Sequence, residues 1–224
     1  MLSKTQVKMI RSLQTKKGRE KHGLCLVEGR KTVEAAGPAV EFTFGPDDTA
    51  DFTKLVTTET PQDIAAVART PCWSLYDIAD SSTVVLADGL QDPGNVGTVL
   101  RLCLGFGAAL ALVECADVTA PKVVRASTGS LFAVPWVKVA RQDAPEFIGS
   151  LRRPVFRLER SGRPESLNDL KRTERIALLI GAEGSGITLD VPGTSVRIEH
   201  DDRLESLNVA QALAIALHTR YTEV

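Results

Sequence analysis

After Ser3, which has the character of a helix N-cap, Val7, Ile10 and Leu13 recur at helical spacing between Lys and Arg side chains, which predicts an amphipathic helix. Residues 24–27 form a short continuous apolar run closed by Gly29, the pattern of a buried strand, and a helical stretch follows from Thr32. Gly45-Pro46-Asp47-Asp48 is turn-rich, and residues 64–67 predict another short helix ahead of Pro71-Cys72-Trp73. Beyond Ser81 the pattern becomes regular. Apolar runs at 83–87, 109–113, 134–139, 176–180 and 195–198 alternate with helical or loop segments. Such alternation predicts an α/β fold with a mostly parallel sheet flanked by helices. The division falls near residue 78, with a small α/β unit over 1–78 and a larger one over 79–224.

Composition narrows this picture without changing it. The 224 residues, 43% hydrophobic and 25% charged, describe a globular chain, and its apolar runs fall far short of a membrane span. The first twenty residues are basic and amphipathic with no apolar h-region, so a cytoplasmic location and no membrane partner are expected. Cys25, Cys72, Cys103 and Cys115 have apolar neighbours and no C-x-x-C pair, so they read as reduced core thiols. His22, His200 and His218 are scattered, and no metal site is indicated. The net charge of −1 conceals an asymmetry: residues 1–31 hold nine Lys/Arg against Glu20 and Glu28, a local +7, which leaves −8 for the rest. A phosphate-binding patch and a solvated helix face account for that excess about equally well. The stretch 152–175, which carries Arg152, Arg153, Arg157, Arg160, Arg163 and Arg175, presents the same two alternatives.

Three loops that follow strands carry the chemistry. The first runs through Gln91-Asp92-Pro93-Gly94-Asn95-Val96-Gly97, with Asn95 as a helix cap and Arg101 about two turns into the helix. The second, Gly181-Ala182-Glu183-Gly184-Ser185-Gly186, follows an apolar strand, and its glycines let backbone approach a ligand closely. It is no nucleotide P-loop, since no Gly-Lys-Ser/Thr follows. The third, Ser206-Leu207-Asn208-Val209-Ala210, lies where Ser206 or Glu205 starts the last helix. Ligands of open α/β sheets bind at the carboxyl ends of strands, where all three loops fall.

Together these loops resemble the three signature motifs of the SpoU (TrmH-type) branch of the SPOUT methyltransferases, in order and spacing. The segment Lys16-Lys17-Gly18-Arg19-Glu20 with Leu26-Val27-Glu28-Gly29 resembles the start of that family's ribosomal-protein-like RNA-binding domain, so the likeness covers nearly the whole chain. The resemblance implies a trefoil-knotted sheet with helices on both faces, a homodimer with its site at the subunit interface, and S-adenosylmethionine as cofactor without a metal. It implies methyl transfer to a ribose 2′-hydroxyl of structured RNA, with ribosomal 23S-type RNA favoured over tRNA. A non-catalytic RNA-binding or assembly protein is the farther alternative. By motif position it assigns catalysis to Asn95, Arg101, Glu183, Ser206 and Asn208, and cofactor contacts to Gly181, Ile198 and Leu207. Lys16, Lys17, Arg19 and Arg30 are the RNA-binding candidates. Glu183 is expected to pair with Arg101 or its neighbours, within the chain or across the dimer interface. One departure stands out: where the family has Pro-Met and then Gly after the last strand, this chain has Glu199, His200 and Asp202, which predicts an acidic cofactor loop.

Overall fold

The computed structural model describes residues 1–160, 164–201 and 203–221; Arg163 and Asp202 of the sequence reading lie outside them. The chain divides into two compact units, residues 1–72 with 117–133, and residues 73–116 with 134–221 among those described.

In the smaller unit, α1 (Lys4–Leu13) starts in a capping box: the Gln6 amide donates to Ser3 Oγ at 3.2 Å while the Ser3 amide donates to Gln6 Oε1 at 2.9 Å. Its inner face buries Ile10 and Leu13 completely against Leu26, Phe44, Phe52 and Leu55, each such side chain contributing about 1.5–3 kcal/mol. α2 (Lys16–His22) is capped by Thr15 and ends at Gly23 in the left-handed region. There follow β1 (Leu24–Glu28), α3 (Arg30–Ala36), β2 (Val40–Phe44), α4 (Phe52–Leu55) and β3 (Ala65–Arg69). The strands form an antiparallel sheet in the order β1-β3-β2. The helix expected over 64–67 is therefore a strand. As the central strand of its sheet β3 is buried on both faces, so it lacks the alternation that separates strand from helix in an apolar run.

The larger unit contains α5 (Leu75–Asp80), β4 (Thr83–Asp88), α6 (Pro93–Gly105) and β5 (Ala109–Val113). After α7 (Pro121–Ser127), which belongs to the smaller unit, come β6 (Trp136–Val139), α8 (Ala144–Ser150), β7 (Val155–Leu158), β8 (Glu165–Ser166), β9 (Ile176–Gly181), β10 (Thr194–Arg197) and α9 (Val209–Tyr221). The seven strands run in the order β6-β5-β4-β9-β7-β10-β8, and every pairing is parallel. β4, β5 and β9 are apolar along their length because helices cover both faces. Val84 and Leu86 pack with Ile78 of α5 and Ile148 of α8; alternation turns Val85 and Ala87 to the opposite face, where α6 and α9 lie against β5 and β9. Arg220 anchors α9: its guanidinium donates to Thr83 Oγ1 at 2.7 Å and to the carbonyls of Leu170, Thr173 and Glu174.

The division at residue 78 expected from sequence differs from the observed units in two places. Residues 73–78 go with the larger unit, because Ile78 belongs to its core. Residues 117–133 go with the smaller one, where Asp117 pairs with Arg19 at 2.6 Å and Arg125 with the buried Glu28 at 3.0 Å.

Candidate active site

Because the large sheet is parallel, the loops after β4, β9 and β10 all emerge at one end. β4 ends at Asp88 opposite Gly181, the last residue of β9, and β10 ends at Arg197. Asp92, not Asn95, caps α6: its Oδ1 accepts from the Asn95 amide at 2.8 Å, with Pro93 in the first turn. That releases the Asn95 side chain, whose Nδ2 donates to Glu183 Oε1 at 3.1 Å.

The last helix begins at Val209, later than the Ser206 or Glu205 start read from sequence, and Asn208 caps it. Asn208 Oδ1 accepts from the amides of Ala210 at 3.0 Å and Gln211 at 3.3 Å. With the oxygen committed to the helix, Nδ2 must face the other way, where it donates to Asn95 Oδ1 at 3.1 Å and to Glu183 Oε1. Asn95, Glu183 and Asn208, one from each loop, thus form a closed triangle. Both contacts of Glu183 fall on Oε1, so Oε2 has no partner among the described residues. Arg101 is exposed on α6 and makes no hydrogen bond or ion pair among the described residues. The expected Arg101–Glu183 pairing is therefore absent within the chain, and the two amides take its place.

The Gly181–Gly186 loop folds back on itself, with the Gly186 amide on the Ala182 carbonyl at 2.9 Å. A Cβ at Gly181 would lie 2.1–2.3 Å from the backbone of Gly186 and Ile187, so only glycine fits there. Asp88 staples this loop to β4. Its Oδ2 accepts from the amides of Thr188 at 2.6 Å and Leu189 at 2.8 Å and from Thr188 Oγ1 at 3.0 Å, while Oδ1 meets Arg141 Nη2 at 2.7 Å. Burial pushes this carboxyl up, but the two amides, the Arg141 guanidinium and the Thr188 hydroxyl outweigh it and hold Asp88 below the ordinary carboxylate value. Sequence reading passed over Asp88; the available signal was a lone carboxylate ending a wholly apolar strand.

Beside the triangle lies a cleft of about 400 Å³. Leu158, Ile180, Ile187, Ile198 and Leu207 give it apolar walls, and Gly181, Glu183, Ser206 and His200 also line it. The three residues expected to hold the cofactor, Gly181, Ile198 and Leu207, thus share one cavity, and Ser206 and Glu183 stand at it. An apolar slot of this size with backbone edges and a few polar groups suits an adenosyl group carrying a short charged tail. Glu199 bonds Arg197 Nε at 2.6 Å and is not in the cleft lining, whereas Glu159, Glu183 and Glu205 line it and His200 does so with Nδ1 2.8 Å from the Ile198 carbonyl.

Of the RNA-binding candidates, Lys16, Lys17 and Arg30 are exposed on the smaller unit. Arg19 is not. It is 5% exposed, and its guanidinium is spent on Asp117 at 2.6 Å, the Leu13 carbonyl at 2.9 Å and Thr119 Oγ1 at 3.2 Å. Much of the basic stretch 152–175 is likewise structural. Arg153 donates to the carbonyls of Leu151, Ser81 and Ala79, and Arg157 to Glu159 and the carbonyls of Leu189 and Val191. Cys25 and Cys103 are buried thiols pushed up by burial to about 12, while Cys72 departs from the core reading and is exposed.

Residues 82–218 match the model of the SpoU rRNA methylase family, and residues 4–42 match the MRM3-like substrate binding domain. A 23S rRNA guanosine 2′-O-methyltransferase of Bacillus subtilis is 31% identical, over 95% of this chain and 94% of that protein. A 23S rRNA adenosine 2′-O-methyltransferase of Streptomyces azureus is 34% identical, over 69% of this chain and 60% of that protein. Among solved structures, a TrmH-family protein from Porphyromonas gingivalis superposes with a TM-score of 0.86 at 31% identity, covering 100% of both chains. The S-adenosylmethionine-bound rRNA methyltransferase of Sinorhizobium meliloti superposes at 0.83 with 26% identity, covering 98% of this chain and 96% of that one.

Proposed function

This chain belongs to the SpoU rRNA methylase family, and from that premise we propose that it transfers a methyl group from S-adenosylmethionine to a ribose 2′-oxygen of 23S-type ribosomal RNA. The observation that carries the reading is the meeting of Asn95, Glu183 and Asn208 in one hydrogen-bonded triangle beside the cleft lined by Gly181, Ile198 and Leu207. A solved structure concerned with 2′-hydroxyl methylation of tRNA covers 62% of this chain and 93% of its own. The Bacillus relative covers 95%, smaller unit included, which favours ribosomal RNA.

When bound, S-adenosylmethionine supplies a methyl already activated on a sulfonium, so the protein's work is alignment and handling of one proton. Gly181, Ile198 and Leu207 hold the cofactor in the cleft through backbone contacts. Asn95 and Asn208 fix Glu183, and its Oε2, without a hydrogen-bond partner among the described residues, is left for a bound ligand. Arg101, a guanidinium without a hydrogen-bond or ion-pair partner among the described residues, orients the target nucleotide through a phosphate and stabilises developing negative charge on the 2′-oxygen, whose proton leaves to water or to the substrate phosphate. Ser206 offers a hydroxyl beside that oxygen. Lys16, Lys17 and Arg30 supply salt-dependent affinity for the RNA backbone.

The working form is a homodimer with a knotted chain path, acting in the cytoplasm where ribosomes are assembled. Exposed Leu104 on α6 and Ile215 and Tyr221 on α9, with Phe106 edge-on to Tyr221 at 5.6 Å, form the apolar face that supports pairing.

The test is transfer of label from methyl-labelled S-adenosylmethionine to unmodified ribosomal RNA and tRNA in parallel, followed by nucleoside digestion. Label appears in a 2′-O-methylnucleoside of ribosomal RNA and is lost with Arg101→Ala. Transfer to tRNA alone, or RNA binding without transfer to either pool, overturns the proposal.

A further inference from the structure

Among the described residues, the wall of the cleft that carries Ser206 and Leu207 has neither helix nor strand between the end of β10 and the start of α9, and its sequence holds no proline. Something must hold its backbone at a defined distance from β9 if Ile198 and Leu207 are to present a fixed slot. Arg160 meets that requirement. It follows Glu159, whose amide bonds the Val196 carbonyl at 3.1 Å and so extends the β7–β10 ladder by one step. From this rigid base, Arg160 Nη1 reaches the Glu205 carbonyl at 3.2 Å, the Leu204 carbonyl at 3.4 Å and His200 Nε2 at 3.3 Å. His200 Nδ1 lies 2.8 Å from the Ile198 carbonyl. That carbonyl can only accept, so Nδ1 carries the hydrogen and the neutral ring turns its Nε2 lone pair to the guanidinium.

We propose that Arg160, with His200 as its relay, is a positioning residue that sets the width of the cofactor cleft. Through Glu205 and Leu204 it fixes the backbone just ahead of Ser206 and Leu207. Through His200 it fixes Ile198 on the other side of the same slot. This inference rests on the cofactor reading above and adds to it the residue that organises the slot. A guanidinium is suited to the task, because it stays charged and the two N–H groups of its Nη1 are shared among these neutral acceptors.

The experiment is calorimetric titration of the full chain with S-adenosylmethionine and with S-adenosylhomocysteine, alongside steady-state kinetics and melting curves. Arg160→Gln weakens both ligands about tenfold, the scale of losing charge-assisted hydrogen bonds. It raises KM for the cofactor by the same factor and leaves kcat at saturation within about twofold. Arg160→Lys recovers part of the affinity. His200→Ala, which removes the relay, weakens both ligands in the same way. Wild-type protein that binds neither ligand overturns the cofactor reading and this one together. Wild-type binding matched by Arg160→Gln, or a loss confined to kcat, overturns the clasp alone.

Discussion

Asp88→Asn tests whether the glycine loop is held by charge or by shape. The substitution keeps the side chain's volume, removes its charge and leaves one oxygen. That oxygen is worth most facing the amides of Thr188 and Leu189, now 2.6 and 2.8 Å from the carboxylate, which turns the new NH2 toward the Arg141 donor. Converting two charge-assisted bonds into neutral ones costs about 1 kcal/mol each, so about 2 kcal/mol in all. The Arg141 contact adds little, because that side chain is 35% exposed and keeps Glu114 at 2.6 Å. For a chain of this size the loss lowers the melting temperature by about 4–8 °C.

The pH dependence follows from linkage. Asp88 is held below its ordinary value of 3.8 when folded, so the unfolded chain binds the proton more readily. Its contribution is complete above the unfolded value and disappears as pH falls through the lower folded value. Urea unfolding therefore separates wild type and Asp88→Asn by about 2 kcal/mol at pH 7, and the two converge as the acid limb is descended below about pH 4. Equal stability at pH 7, or a gap that persists unchanged at pH 3, refutes the argument.

Asn208→Ala removes both the cap of α9 and the donor shared by Glu183 and Asn95; it lowers stability by about 1–2 kcal/mol in thermal melts and methyl transfer by more than that loss accounts for. Gly181→Ala drives a Cβ to 2.1 Å from the Gly186 carbonyl carbon, and calorimetry registers lost cofactor binding, whereas the open Gly184 position, also left-handed at φ 89°, keeps more of it as Gly184→Asn. Arg19→Ala leaves Asp117, 12% exposed, beside a vacated guanidinium and costs about 3–5 kcal/mol in urea unfolding. Lys17→Ala leaves stability unchanged and reduces the salt slope of RNA binding by about one, and the opposite pairing of effects contradicts the assignment of the two residues.

The chemistry of this protein was largely legible in one dimension. Each strand of the large sheet buried on both faces announces itself as an apolar run, and a glycine or Asn/Ser-bearing loop follows β4, β9 and β10. Since parallel strands end on one side, those loops were bound to converge, and Gly181, Ile198 and Leu207 do share a cleft. What failed was whatever depends on a partner distant in sequence. The central strand β3 imitates a helix because both its neighbours are elsewhere in the chain. Asp92 and Asn95 are equally good caps by composition, and only the demand of Glu183 for a donor decides that Asn95 is the free one.

Arg19 and Lys17 are equivalent in a count of charges; an aspartate 98 positions away buries one and leaves the other in water. Asp88 escaped notice, and Arg160 reads from sequence only as part of a basic stretch, for a related reason: both bond backbone amides or carbonyls, which every residue carries and no sequence marks. Local pattern and motif order determined which residues are candidates for the reaction and which end of the sheet they occupy. Tertiary structure alone decided which charges are spent inside the protein and which remain for a ligand, because pairing energies depend on distance in space and on desolvation, neither of which is written along the chain.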